Sequence, residues 1–261
     1  MIEKFLDPYE IKARIAPGLI LSVAVLVDLV FTAPVLSTLP IFAATGICSL
    51  ALIYGLGNFA RARGAAIQPK LWLEWGGEPS TRFLRLRDPH FGDGLKTSIR
   101  EELFRRFGVH LLNADQEARN PDLADKEIVD SFRLVRPYLR SKNADGLWQK
   151  QNIEYGFSRN LLACRTTWVV LSVAAAAFAV GNAVRSGQTL FNPGSIVGII
   201  SLVCAIYLGW IVLPSATKRV AEAYAESAWM AFLDLSRNEP AAHQEPIPAN
   251  QNYIRVDPAA L

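Results

Sequence analysis

The chain has 261 residues, 51% of them hydrophobic and 20% charged, with a net charge of +3 that singles out no class of partner. Its three cysteines exclude a disulfide-stapled scaffold. The placement of charge says more: residues 15–60 hold one charged side chain, Asp28, and residues 166–217 hold one, Arg185, so neither run has the polar stripe of a water-soluble core helix.

Each run is long enough for two spans of about 20 residues. The expected fold is therefore a mostly α membrane protein. Two transmembrane hairpins, four spans in all, carry a small α+β cytoplasmic domain between them and end in helical levers. The expected segments are an amphipathic N-terminal helix (1–14), hairpin 1 (15–60), the cytoplasmic domain (61–160), hairpin 2 (161–216), a cytoplasmic helix (217–237) and a loose tail (238–261), in which 253–256 has the pattern of a docking segment. The spans are placed at 16–35, 38–57, 166–184 and 195–214. Pro34 and Pro40 bracket the first turn, and Asn192, Pro193 and Gly194 punctuate the second.

Basic residues set the orientation. Lys12, Arg14, Arg61, Arg63, Arg159, Arg165, Lys218 and Arg219 flank one side of the spans, and Arg185 alone marks the other. Lysine and arginine stay on the cytoplasmic side of a bacterial inner membrane, so both termini and the middle domain are expected in the cytoplasm.

Within hairpin 1, Asp28 is the one acidic residue, with Thr32 one turn further on. A carboxylate in a bilayer is costly unless protonated, paired or wet. Asp28 and Thr32 are thus pore or gating candidates. The alternative is a packing carboxylate that meets Thr45 or Ser49. Cys48, Cys164 and Cys204 read as packing residues in or beside spans.

In the middle domain, Leu71, Leu73 and Trp75 alternate with Trp72 and Glu74, Gly76, Gly77 and Pro79 form a turn, and alternation resumes over 83–87. This predicts a β-hairpin. Helices are predicted over 95–112 and 121–141, with Pro137 kinking or ending the second. Helical pattern then runs from about Leu147 into the third span, and from the fourth span past Pro214 to Arg237, giving the levers.

Two basic clusters mark the domain. Arg82, Arg85 and Arg87 are followed by Lys96, Arg100, Arg105 and Arg106, and Arg133, Arg136 and Arg140 share one helical face. Guanidinium forks suit phosphates, whether of a nucleotide, an oligonucleotide or a lipid headgroup. The competing reading is a solvated basic face. Trp72, Trp75, Phe83 and Phe91 lie near the first cluster, as base-stacking groups or as the core of a small domain.

Catalytic signatures are poor. Asp88, His90 and Asp93 form a short loop-like cluster that points weakly to a metal. Gly94-Leu95-Lys96-Thr97 lacks the spacing of a phosphate-binding loop. No enzyme activity, metal or cofactor is expected. A hydrolase using Asp88, His90 and Asp93 and a non-conducting anchor for a soluble partner remain as competing functions.

Residues 71–88, L-W-L-E-W-G-G-E-P-S-T-R-F-L-R-L-R-D, and 152–161, N-I-E-Y-G-F-S-R-N-L, together with the two-hairpin layout, resemble the membrane effectors of bacterial anti-phage defence loci encoded beside a nucleotidyltransferase, the Hailong-type systems. The resemblance implies a homo-oligomeric ion channel in the lipid bilayer. A nucleotide or short oligonucleotide made by the nucleotidyltransferase partner would open it and depolarise the cell. It assigns no individual ligand residue.

Overall fold

The computed structural model describes residues 10–32, 39–142, 146–187 and 189–238. Residues 1–9 of the expected amphipathic helix, Pro34, and the tail beyond 238 with its 253–256 segment lie outside these. A π-helical turn, Glu10–Ile15, leads into α1 (Ala16–Thr32). There follow α2 (Leu39–Glu74), α3 (Pro79–Arg82), α4 (Asp93–Phe107), α5 (Ala114–Arg119) and α6 (Pro121–Lys142). The chain continues with α7 (Leu147–Ala163), α8 (Arg165–Arg185), α9 (Pro193–Tyr207), a second π turn (Leu208–Val212) and α10 (Leu213–Asn238).

The inserted domain is helical, and the α+β expectation is corrected: no strand occurs among the described residues. Residues 71–74 are the last turn of the long helix α2, not a β-strand. Alternation over four or five residues fits either period, and the helix already running from Leu39 decides it. The helix stops because Gly76 and Gly77 adopt φ of 79° and 128°, a region that glycine enters without a Cβ penalty. Phe83 and Leu84, read as opposite faces of a strand, are both fully buried after the short helix α3.

The count of spans is also corrected. Among the described residues two helices, not four, are long and apolar enough to cross a membrane by length and composition: α8 and the 46-residue rod Pro193–Asn238 that joins α9 to α10. The apolar stretch Ala16–Asp28 of α1 is shorter than such a crossing requires. The described part of α2 gives up its apolar character at Arg61, midway along the helix.

The rod stays continuous through Pro214. Proline lacks the N–H that would bond the Trp210 carbonyl, and its ring crowds that carbonyl. The π turn Leu208–Val212 absorbs the mismatch. Pro137 likewise leaves α6 running on to Lys142 instead of ending it.

Helices α8 and α9 pack through small residues, Ala175, Ala179 and Ala205 among them, and a buried polar seam. Trp168 Nε1 donates to Ser201 Oγ at 3.1 Å, and the hydroxyls of Ser172 and Ser201 lie 2.8 Å apart. Small residues and shared hydroxyls are how apolar helices associate without a hydrophobic driving force. The outward faces carry Val170, Val173 and Phe178 on α8 and Ile199, Ile200, Val203 and Ile206 on α9, all exposed.

The second core belongs to the charged half. Phe83, Leu84, Ile99, Leu103, Ile128, Phe132, Val135, Leu139 and Trp148 close around Trp229 and Phe232 of α10. Trp229 Nε1 donates to the Ser80 carbonyl at 2.9 Å, tying α10 to α3. Removing a buried aromatic of this kind costs about 3–5 kcal/mol. The rod therefore has its first half in the apolar hairpin and its second half in the core of the charged domain.

Candidate anion-binding pocket

A cavity of about 570 Å³ opens between the two halves. Five elements wall it. Helix α2 contributes Gln68 and Trp72, and the following turn with α3 contributes Gly77, Glu78, Ser80, Thr81 and Arg85. Helix α6 presents Asp125, Val129, Arg133, Arg136 and Arg140, successive turns of one face. Helix α7 presents Asn152, Tyr155, Gly156 and Arg159, spaced i, i+3, i+4, i+7. Helix α10 closes the cavity with Ala221, Tyr224 and Ala225.

Five arginines thus face two carboxylates. One carboxylate is committed: Asp125 receives Arg85 Nε at 2.7 Å and Nη2 at 2.5 Å, while Arg85 Nη1 caps the Gly76 carbonyl at 2.7 Å. Arg85 is therefore a wall of the pocket, pairing in the two-point geometry that carboxylates favour. Burial pushes the Glu78 carboxyl up from its ordinary range, against the pull of Ser80, Arg136 and Arg133.

The remaining arginines have cationic capacity to spare. Arg136 lies over the Phe132 ring at 5.7 Å, and neither it nor Arg140 makes an ion pair among the described residues. Arg133 meets Asp130 at 2.9 Å on an open surface, where such a pair contributes little. Arg159 bonds only neutral oxygens, those of Gln68 and Asn160, and lies over the Tyr155 ring at 5.5 Å. The Ser80 hydroxyl faces Glu78 and the Tyr155 hydroxyl lies by Trp72 and Arg159, while the buried Thr81 hydroxyl makes no well-aligned hydrogen bond. Burial also pushes the Tyr155 phenol up, which keeps it a neutral donor. Guanidinium forks, hydroxyls and aromatic faces in one cavity are groups whose chemistry suits a phosphate-bearing molecule. The volume falls within the usual range of small-molecule sites, about 300–1,000 Å³.

Of the six arginines singled out from the sequence, the fold brings Arg85, Arg133, Arg136 and Arg140 together. Arg82 and Arg87 are elsewhere. Arg82 donates to the Trp75 carbonyl and to Glu222, each at 2.7 Å, and lies 3.3 Å from Asp88. Arg87 borders a smaller cavity of about 280 Å³ beside Glu117. Lys96 and Arg100 bind backbone carbonyls inside the domain.

Arg159, Tyr155 and Asn152 were not singled out as ligand residues, although the polar spacing over 152–159 was a usable signal. Both stretches that carry the resemblance, 71–88 and 152–161, line this cavity.

Asp28 is 3% exposed, and its Oδ1 lies against Gly194 in the first turn of α9. The carboxylate is therefore level with the α8–α9 turn rather than with the middle of the hairpin. Thr32 is the last residue of α1, and its side chain, like that of Thr45, lies outside the described part. Asp88, His90 and Asp93 do not converge. His90 stacks on Phe83 at 3.5 Å with Nε2 3.6 Å from Glu226, and Asp88 faces Arg82. No group of three metal-ligating side chains occurs among the described residues.

No protein-family model matches this chain, and no curated protein or solved structure is similar to it.

Proposed function

We propose that the protein is a membrane effector whose arginine pocket binds a phosphate-rich signal, a nucleotide or short oligonucleotide, and thereby controls ion passage through a homo-oligomer. The observation that carries this reading is the construction of the pocket wall. Helix α7 meets α8 at Cys164 alone, and α10 is the same rod as α9. A ligand that draws Arg136 and Arg140 of α6 toward Arg159 of α7 shifts the foot of one apolar helix relative to the other. Occupancy then favours one arrangement of the hairpin by the difference in its affinity for the two.

The membrane is supported by the exposed aliphatic faces of α8 and α9, which lipid covers and water penalises. The lopsided basic residues support a pocket on the cytoplasmic side of a bacterial inner membrane. The resemblance supplies a setting, anti-phage defence, and a source for the signal, a partner nucleotidyltransferase.

The burial of Asp28 against Gly194 favours a second reading, an anchor that binds the same ligand without conducting, because a packed carboxylate lines no water path. Ion flux from liposomes holding the purified protein separates the two. Flux that appears with an added nucleotide or oligonucleotide and vanishes in Arg136→Glu supports the channel. Ligand binding without flux supports the anchor.

A further inference from the structure

Beside the pocket, one buried amide joins three elements. Asn160 of α7 is 2% exposed. Its Oδ1 accepts two hydrogen bonds from Arg159, from Nε at 3.3 Å and Nη2 at 3.1 Å. Its Nδ2 donates to the Ala13 carbonyl at 2.8 Å. Ala13 belongs to the π turn directly before α1. The α-helical donor for that carbonyl would be residue 17, a proline with no N–H, and the Asn160 amide supplies a donor from another helix. On its other side Asn160 presses on Gly64 of α2, where a Cβ would lie 2.0 Å from Oδ1. Arg159 itself lines the cavity and reaches Gln68 of α2.

We propose that Asn160 is the positioning residue that transmits pocket occupancy to the π turn and α1. The proposal rests on the reading of the pocket as a phosphate site. Arg159 has neutral partners only, and a charge-assisted bond to phosphate is roughly twice as strong as a neutral one. A phosphate in the cavity therefore takes the guanidinium from Asn160 Oδ1. A buried acceptor without a donor is costly, so the amide turns to find one. In turning, it takes Nδ2 from the Ala13 carbonyl, and the tie between α7 and the π turn is broken. The segment leading into α1 is released as the pocket fills.

The test uses the full chain in lipid nanodiscs, with a short oligothymidylate as probe. Probe affinity and backbone hydrogen exchange over residues 10–20 are measured together. In wild type, saturating probe accelerates exchange there. Asn160→Leu removes both halves of the relay and frees Arg159; it binds the probe at least as tightly, and the exchange response falls about tenfold, a typical coupling factor. Asn160→Asp keeps the acceptor, holds Arg159 more firmly and has no donor for Ala13; it binds more weakly, and at saturation the response is lost as well. Opposite affinity shifts with the same loss of response distinguish transmission from a packing role. A wild-type response at saturation in either variant overturns the proposal while leaving the pocket intact. Should Asn160→Leu fail to fold, Asn160→Asp decides alone. Probe binding that is unchanged by Arg136→Glu removes the pocket reading, and the proposal with it.

Discussion

Arg85 and Asp125 hold each other by two hydrogen bonds, at 2.7 and 2.5 Å, across the mouth of the arginine pocket. A third bond, from Arg85 to the Gly76 carbonyl, fastens the turn that ends α2. A glycine at 77 is part of the same arrangement, because a Cβ there would lie 2.6 Å from Arg85 Nη2. Arg85 shapes the cavity and is already satisfied. Arg136 makes no close ion pair among the described residues, although its charge acts on the Glu78 carboxyl, and its fork faces the cavity.

The two arginines should therefore separate by measurement. Arg85→Glu sets two carboxylates against each other and should cost about 3–5 kcal/mol, the scale for breaking a largely buried pair. Arg136→Glu breaks no close ion pair and should cost less, about 0.5–1 kcal/mol for the contact over Phe132 together with its pull on Glu78. Thermal unfolding in detergent checks both. Equal destabilisation by the two variants would mean that Arg136 also has a structural role.

Affinity for a phosphodiester probe should depend on salt and on the fork. Several guanidinium contacts acting together give a steep fall in binding as salt rises. Arg136→Lys and Arg140→Lys should each weaken binding by less than charge reversal, since lysine keeps the charge and loses the planar fork. Titrations at two salt concentrations read this directly. A flat salt response would mark these arginines as a solvated face.

Glu78 gives the pocket a pH dependence of definite sign. Its folded pKa is raised from 4.5, chiefly by burial, so the folded state holds the proton more tightly than the unfolded chain. Its contribution to stability should be greatest below 4.5 and decline as pH rises from there through the raised folded value, then level off. The ionised carboxylate also competes with a bound phosphate, so probe affinity should fall across the same window. Glu78→Gln should flatten both profiles. A variant whose profiles match wild type would clear Glu78 of both effects.

Gly194 is the neighbour against which Asp28 packs. A Cβ at 194 would lie 2.1 Å from Asp28 Oδ1, so Gly194→Ala should loosen the α1–α9 contact by about 1–3 kcal/mol, the usual cost of overpacking. Asp28→Asn, similar in shape, should leave insertion intact. Resistance to unfolding in detergent tests the first. Conductance of Asp28→Asn tests the second: a changed value marks a wet carboxylate, and a wild-type value marks a packing one.

Orientation can be tested by reporter fusions. A reporter inserted at Asn113, the exposed cap of α5, should report cytoplasm. One placed after Arg185 in the α8–α9 turn should report the opposite side. Reversal of the two would remove the pocket from any cytoplasmic signal.

The sequence alone determined the apolar character of α8 and α9, since composition is read along the chain without any contact. It also placed Arg133, Arg136 and Arg140 on one face, because helical period is a local property. It could not settle residues 71–75, where a short alternation satisfies both periods and the preceding helix made the choice. It over-counted spans, because an uncharged run does not show where a helix breaks or how far its apolar stretch extends. It could not tell Arg85 from Arg87, two positions apart, one locked to Asp125 and the other outside the pocket. That difference, like the facing of Arg159 and Arg136 across one cavity, depends on how α6, α7 and α10 pack around Trp229 and Phe232 and how α2 packs on α7. Contacts between residues far apart in the chain follow from tertiary packing, and no local pattern encodes them.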